Sequence, residues 1–506
     1  MSSIVSGVAD VFQLLPLMAI FGGVVVGIIF GSIPGLTATM AIALCLPLTF
    51  GVDPVISLSL LVGLFVGGIS GGLITAILIN IPGTPSSIAT TFDGYPMTLK
   101  GEGGRALGLA VFYSFLGTVV GWLVLFFFTP PLARMALRFG TYEYFAISVF
   151  ALTLVAGLSG GNMVKGLASA TLGLLVGMVG LAPIDAYRRF TFGWNALDGG
   201  LGLLPVLLGL FALSEVMKHA AEARTALPSS VPPFRLKGFF GVTWPDFRAY
   251  LPTFLRSSAI GVGVGLLPGI GSGTSNFLAY MAARSASKTP EDFGKGEPRG
   301  LIASESANNA GIGAAMVPLI ALGIPGDATT ALMLGGFLIH GIQPGPMLFT
   351  SNAPLVYSIF TALVLSAFVM LLVEYFGIRL FVRILAVPKH YLLASVTVMC
   401  VLGAFAANNR MFDVYTLIAF GALGYAMLRF DFPFAPLVLG FILGPMIEKN
   451  LRSALMSTRG EFLPFLERPV TAVFLGLALL YLLWTVASAL LKRRRRAGST
   501  AVDPAR

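Results

Sequence analysis

Residues Val55–Ile81 read VISLSLLVGLFVGGISGGLITAILINI, and Pro82-Gly-Thr-Pro-Ser-Ser87 follow at once. The run holds no Asp, Glu, Lys or Arg. It exceeds the roughly 20 apolar residues that a helix needs to cross a bilayer. It then meets two prolines, each of which removes a backbone donor and clashes with the preceding helical turn. The stretch reads as a membrane helix that breaks.

Similar apolar runs recur at Leu14–Ile33, Leu107–Phe128, Phe145–Leu158, Ala353–Val373 and Val470–Leu491. Hydrophobic residues make up 56% of the chain and charged residues 11%, against about 25% charged in soluble domains. The expected fold is an all-α polytopic membrane protein with about 11–13 transmembrane segments. Met1–Gln13 contains no Lys or Arg, so it lacks the basic region of a signal peptide, and Leu14–Ile33 reads as a retained first helix. Cys45 and Cys400 lie in apolar segments and read as buried thiols without a disulfide or metal role.

Net charge is +10. The run Lys492-Arg-Arg-Arg-Arg496 follows the last apolar segment and places residues 492–506 in the cytoplasm as a basic tail. On a membrane stop, lipid head groups and not nucleic acid are its expected contact. The longest polar break carries Lys218, Arg224, Arg235, Lys237 and Arg248. It divides the chain into a first transmembrane half (1–217), a cytoplasmic connector (218–250) and a second half with additional C-terminal helices (251–491). The uncharged N-terminus is expected outside.

The halves repeat. Gly23, Gly27, Gly31 and Gly35 are spaced by four, with Pro34 before the last. Gly261, Gly265, Gly269 and Gly273 match them, with Pro268 before Gly269, at an offset of 234 (268 − 34). Such stripes let helix backbones approach closely, and packing alone accounts for either one. A second pair follows. Asn80-Ile-Pro-Gly-Thr-Pro-Ser-Ser87 corresponds to Gly323-Ile-Pro-Gly-Asp-Ala-Thr-Thr330 at an offset of 243 (325 − 82). Duplicated halves with Gly/Pro-broken apolar segments point to the binding site of a secondary transporter. The halves are expected to be inverted, with broken or re-entrant helices.

The local chemistry suits that role. Thr84 fits an N-cap and Pro85 a first helical position. Ser86, Ser87 and Thr90 then fall at the start of a half-helix whose hydroxyls and free amides suit a carboxylate. Asp327 takes the N-cap place in the second half, before Thr329 and Thr330, and can hold a coupling Na+ or carry a proton. The alternative is an ordinary Pro-Gly turn, with Asp327 capping its own helix. Asp93–Gly104 reads as a glycine-rich loop. Asn308 and Asn309, after Glu305, either coordinate an ion or cap a helix. The expected substrate-binding set is Asn80, Pro82, Gly83, Thr84, Ser86, Ser87, Thr90, Ser272, Thr274, Asn276, Gly326, Thr329 and Thr330, with Gly35 to Thr39 lining the same cavity. The coupling-ion set is Asp327, Asn308 and Asn309.

Six segments together resemble the large membrane subunit of the tripartite tricarboxylate transporters, the TctA family. They are Gly31–Thr37, Asn80–Pro85, Phe92–Gly101, Leu267–Ser272, Ser304–Asn309 and Gly323–Asp327. The resemblance runs from about Leu14 to Leu491. It implies a bacterial inner-membrane carrier of citrate-like carboxylates, driven by a Na+ or H+ gradient, with no other cofactor. It also implies two partners, a small TctB-like membrane subunit and a TctC-like periplasmic binding protein.

Other functions lack their motifs. Gly294-Lys-Gly296 has neither the spacing nor the hydroxyl of a P-loop, and Gly261–Gly273 has no preceding strand for a dinucleotide site. His219, His340 and His390 are far apart and lack a zinc-protease context, and Ile324-Pro-Gly-Asp327 lacks the first glycine of an aspartyl-protease motif. No enzyme is expected. A passive anion channel, or a carrier of a different small carboxylate, is the alternative.

Overall fold

The computed structural model describes residues 2–158, 162–221, 240–268, 271–384 and 389–499. Gly269 of the second glycine stripe, connector residues 222–239 and tail residues 500–506 lie outside them. The chain is all-α apart from one two-residue antiparallel pair, β1 (Gly180–Leu181) and β2 (Arg188–Arg189). In order the helices are α1 (Ser2–Val11), α2 (Leu14–Ser32), α3 (Ala38–Cys45), α4 (Pro54–Ser70), α5 (Gly72–Ile79), α6 (Ile88–Leu99) and α7 (Gly103–Ala136). There follow α8 (Thr141–Leu158), α9 (Met163–Gly177), α10 (Leu203–Leu208), α11 (Ser214–Ala221), α12 (Trp244–Leu266), α13 (Ser272–Ser285), α14 (Pro298–Leu322) and α15 (Ala328–Ile339). The last are α16 (Leu348–Ser351), α17 (Ala353–Ile384), α18 (Lys389–Asn408), α19 (Met411–Arg429), α20 (Phe434–Ser457), α21 (Leu463–Glu467) and α22 (Pro469–Ser499).

Among the described residues, 8 helical segments are long and apolar enough to cross a membrane, with α4 and α5 counted as one, Pro54–Ile79. Apolar helices too short for that length, α8, α9 and α15 among them, occur besides. Chain folding forms two compact units, Met1–Leu137 with Leu201–Arg429, and Arg138–Gly200 with Phe430–Arg506. Each draws on both sides of the polar connector.

In the larger unit, the first glycine stripe is a packing seam. A Cβ on Gly23, Gly27 or Gly31 of α2 would fall within 2.6 Å of the carbonyls of Leu60, Leu64 and Gly68. The opposing face of α4 answers with Gly63 and Gly67, and Gly71 follows, against the carbonyls of Ile20, Val24 and Ile28. Backbone meets backbone because neither side interposes a side chain. Gly35 has left the seam, at φ +94, and faces His219. The second stripe packs likewise: Gly261 and Gly265 of α12 lie on Ala307 and Gly311 of α14, while Gly117 and Gly121 of α7 lie on Ser306 and Ala310. α14 is thereby enclosed, and every residue from Gly300 to Ala321 is buried.

One local expectation is corrected. Asp93–Gly104 is not a loop. α6 continues to Leu99 and α7 starts at Gly103, leaving only a short turn. The helix persists because Gly94 presses on Ile77 and the Asp93 Oδ1 accepts three N–H groups, from Gly294, Gly296 and Glu297, at 2.8–2.9 Å. The basic run Lys492–Arg496 belongs to α22 and is helical.

The smaller unit packs α9 on α20 through reciprocal glycines, Gly173 against the Leu437 carbonyl and Gly440 against that of Ala170. Its loop carries ion pairs Arg189–Glu448 at 2.7 Å and Arg452–Asp185 at 2.6 Å. The Arg452 guanidinium holds the Asp185 carboxyl below the usual carboxylate range.

Gly27→Ala should lower thermal stability, at a cost of about 1–3 kcal/mol for overpacking a seam that cannot part. Its Cβ would sit 2.6 Å from one carbonyl and 2.7 Å from an amide. Gly22→Ala, with nothing within 4 Å, should be neutral or slightly stabilising. Melting curves of both variants in detergent check the pair.

Candidate functional site

The two broken segments adopt the same backbone. α5 ends at Asn80 with φ 57, and α14 ends at Gly323 with φ 74, both left-handed. These positions are 243 apart (323 − 80), the offset of the sequence repeat. Beyond each cap, Ile-Pro-Gly folds back along its own helix. A Cβ on Gly83 would press on Gly72, and one on Gly326 would press on Ala315, again equivalent positions. Each tip then starts a new helical segment with a residue that closes on the third residue after it. Ser87 Oγ accepts from the Thr84 amide at 3.3 Å and donates to the Thr84 carbonyl at 2.9 Å. Asp327 Oδ1 accepts from the Thr330 amide at 2.7 Å and from its hydroxyl at 2.8 Å, and Thr330 Oγ1 accepts from the Asp327 amide. Asp327 is therefore a helix cap, with its charge placed at the positive end of α15. After Thr84 the first turn is a 3₁₀ turn, Pro85–Ser87, before α6.

Two further helix starts lie against these tips. Thr39, in the first turn of α3, shares a hydrogen bond of 3.1 Å with Thr329. At the start of α13, Gly271 approaches the Asp327 side chain, Gly273 approaches Pro85, and Asn276 Nδ2 donates to the Ser86 carbonyl. The N-terminal ends of α3, α13 and α15 and the turn that leads into α6 thus gather in the larger unit. Their first turns supply Thr37, Thr39, Thr84, Ser86, Thr274, Asn276 and Thr329. Several buried polar atoms here have no partner among the described residues: Thr75 Oγ1, Thr84 Oγ1 and Asn276 Oδ1. Buried polar groups are rarely left so.

Asn308 and Asn309 fall inside α14, and the structure separates them. Asn309 is engaged, donating to the Glu305 carbonyl at 3.1 Å and accepting from Thr118 at 3.4 Å. Both amide atoms of Asn308 are buried and unpartnered. Thr90 turns away from the tip and donates to Glu305 Oε1 at 2.5 Å.

Sequence reasoning passed over two fully buried carboxylates. Glu305 also accepts from Ser114 at 2.9 Å, and Glu374 of α17 accepts from Ser70 at 2.7 Å while its Oε1 has no partner. The available signal was an ionisable residue in or next to an apolar run, which is costly at membrane depth. No group of three or more His, Cys, Asp or Glu side chains suited to a metal occurs among the described residues.

Residues 17–439 match the family model described as the tripartite tricarboxylate transporter TctA family. The chain is 37% identical over 459 residues to an uncharacterized 52.8 kDa protein in the TAR-I ttuC' 3' region of Agrobacterium vitis, covering 91% of each. It is 35% identical over 231 residues to an uncharacterized protein in the TAR-II ttuC' 3' region of the same organism, covering 46% of this chain and 96% of that one. No solved structure shows significant similarity.

Cysteines at Thr39 and Thr329, in a background with Cys45 and Cys400 replaced, should form a disulfide on mild oxidation, since the two hydroxyls lie 3.1 Å apart and Cβ atoms about 4 Å apart suit a disulfide. Peptide mass mapping under reducing and non-reducing conditions checks it. Absence of the cross-linked peptide would contradict the contact.

Proposed function

Because this chain belongs to the tripartite tricarboxylate transporter TctA family, as a multi-pass membrane component of a transporter, we propose that it carries tricarboxylates or related carboxylates by ion-gradient-driven secondary uptake. The observation that supports this most is the gathering of three helix N-termini and the Thr84–Ser87 turn around hydroxyl side chains. Free amides and the positive ends of helix dipoles hold anions. None of the contributing first turns contains Lys or Arg, so carboxylates would be held by amides and hydroxyls and released without breaking an ion pair.

In this reading Asn80, Pro82, Gly83, Thr84, Ser86 and Ser87 form one wall. Gly326, Thr329 and Thr330 form the second, and Ser272, Thr274 and Asn276 the third. The matched backbone of the two tips supports alternating access by two related halves, each carrying one tip, and inversion of the halves is part of this proposal. A periplasmic binding protein would deliver the solute, and a small membrane subunit would complete the assembly. The chain would lie in the bacterial inner membrane with its basic C-terminus in the cytoplasm, as the cationic run after the last apolar segment favours.

The test is uptake of radiolabelled citrate by cells making this chain with its two partner subunits, with sodium and proton gradients imposed or collapsed in turn. Gradient-dependent, saturable uptake is expected. Unsaturable flux indifferent to both gradients would indicate a channel instead. Thr84→Val is a sharp probe, because the hydroxyl faces the Ser87 backbone of its own capping box and has no closed hydrogen bond among the described residues. Stability should hold or rise while uptake falls about 10- to 100-fold, the loss of one hydrogen bond to a charged group. Normal uptake by Thr84→Val would remove it from the site.

A further inference from the structure

Glu305 and Glu374 are carboxyl side chains to which the described residues oppose no cationic group. Both are fully buried, one on α14 and one on α17. Neither forms an ion pair with Lys, Arg or His among the described residues. A buried carboxylate without a counter-charge is strongly destabilising, and at membrane depth such residues mark ion pathways.

The surroundings of Glu305 are made of oxygen. Its Oε1 faces Thr90 Oγ1 at 2.5 Å, and its Oε2 faces Ser114 Oγ at 2.9 Å. Ser304 Oγ lies 3.0 Å from Thr90 Oγ1. All four side chains are buried. Asn308, one turn further along α14 and therefore on a neighbouring face, is completely buried with its carbonyl oxygen unpartnered. Two hydroxyls on the carboxylate, a third hydroxyl bonded to Thr90 and an unpartnered amide one turn along α14 exceed what a protonated carboxyl would need, which is one acceptor. Hard oxygen donors suit an alkali or alkaline-earth cation. Divalent sites usually gather more carboxylates, whereas here a single carboxylate matches a single positive charge.

We propose that Glu305, Thr90, Ser114 and Ser304, with Asn308, form a sodium site. Its position gives it a consequence. Thr90 stands on α6, the helix that leaves the first tip, whereas Ser304 and Glu305 stand on α14, which leads into the second. A bound ion would tie the two together, so that occupancy would favour one arrangement of the tips. Glu374 is bonded to Ser70 where α4 gives way to α5. The coupling role rests on the carboxylate-transport reading above. The ion site itself does not.

Equilibrium binding of radioactive sodium to the purified full-length chain in detergent, without carboxylate, tests the site directly. Saturable binding is expected, displaced by unlabelled sodium and not by choline. Glu305→Gln should abolish it. Thr90→Val and Ser114→Ala should each weaken it about 10- to 100-fold, the range seen for groups that support a bound metal. Absence of saturable binding by the unaltered chain overturns the proposal, and so does undiminished binding by Glu305→Gln. If Glu305→Gln fails to give a monodisperse protein, Thr90→Val decides, and unchanged affinity there overturns it. Sodium binding without citrate uptake would leave the ion site standing and reject the transport reading, while gradient-driven uptake without sodium binding would do the reverse.

Discussion

A backbone broken inside a membrane protein must find partners within the protein, because lipid offers none and each unsatisfied group costs several kcal/mol. The tips meet this constraint by folding back on the helix they have just left. Gly83 N donates to the Gly72 carbonyl and Ile81 N to that of Thr75, and in the second tip Ile324 N donates to the Pro318 carbonyl. Gly345 N closes on the carbonyl of Ile320 and brings a later turn over the same helix end. The return leaves room for nothing larger than hydrogen at Gly83, where a Cβ would fall on the carbonyl of Gly31. The Ile-Pro-Gly triplets thus stop each helix and allow the chain to lie against what precedes it.

That closeness extends outward through the glycine seams. Because α2 and α4 touch backbone to backbone, the turn after α2 is held where Gly31 meets Gly83 and Gly68 meets Ala38. α3 therefore starts beside the tips, and Thr39 reaches Thr329. α14 is held the same way on two sides, by α7 and α12, and can present a polar stretch to its neighbours only because those neighbours supply hydroxyls. Small residues at the seams and hydroxyls facing the carboxylates are two aspects of one arrangement: the first brings helices close, and the second makes closeness tolerable for Glu305 and Glu374.

The gathered helix starts contain no Lys or Arg in their first turns. Positive potential there comes from amides and helix ends, which are fixed in place. Of Asp327, Glu305 and Glu374, only Asp327 lies at these helix starts. Asp327 is bound into its own cap, and Glu305 and Glu374 are withdrawn behind Thr90 and Ser70.

Hydrophobic runs, the proline and glycine positions and the offset of 243 determined by themselves that the chain is an all-α membrane protein with two related broken segments. These depend on short stretches of chain, where apolar length, missing donors and left-handed caps have local causes. They also pointed to Thr84 and Asp327 as helix starts. Tertiary structure alone decided the rest. It made the supposed loop at Asp93 a helix, because amides some 200 residues away converge on that carboxylate. It separated Asn308 from Asn309, adjacent in sequence, by giving partners to one only. It also joined Thr90 to Glu305 and Ser70 to Glu374, pairs from opposite sides of the connector. No pattern in one dimension reports which distant hydroxyl meets a buried carboxylate, since that depends on which helices pack and how closely their glycines let them approach.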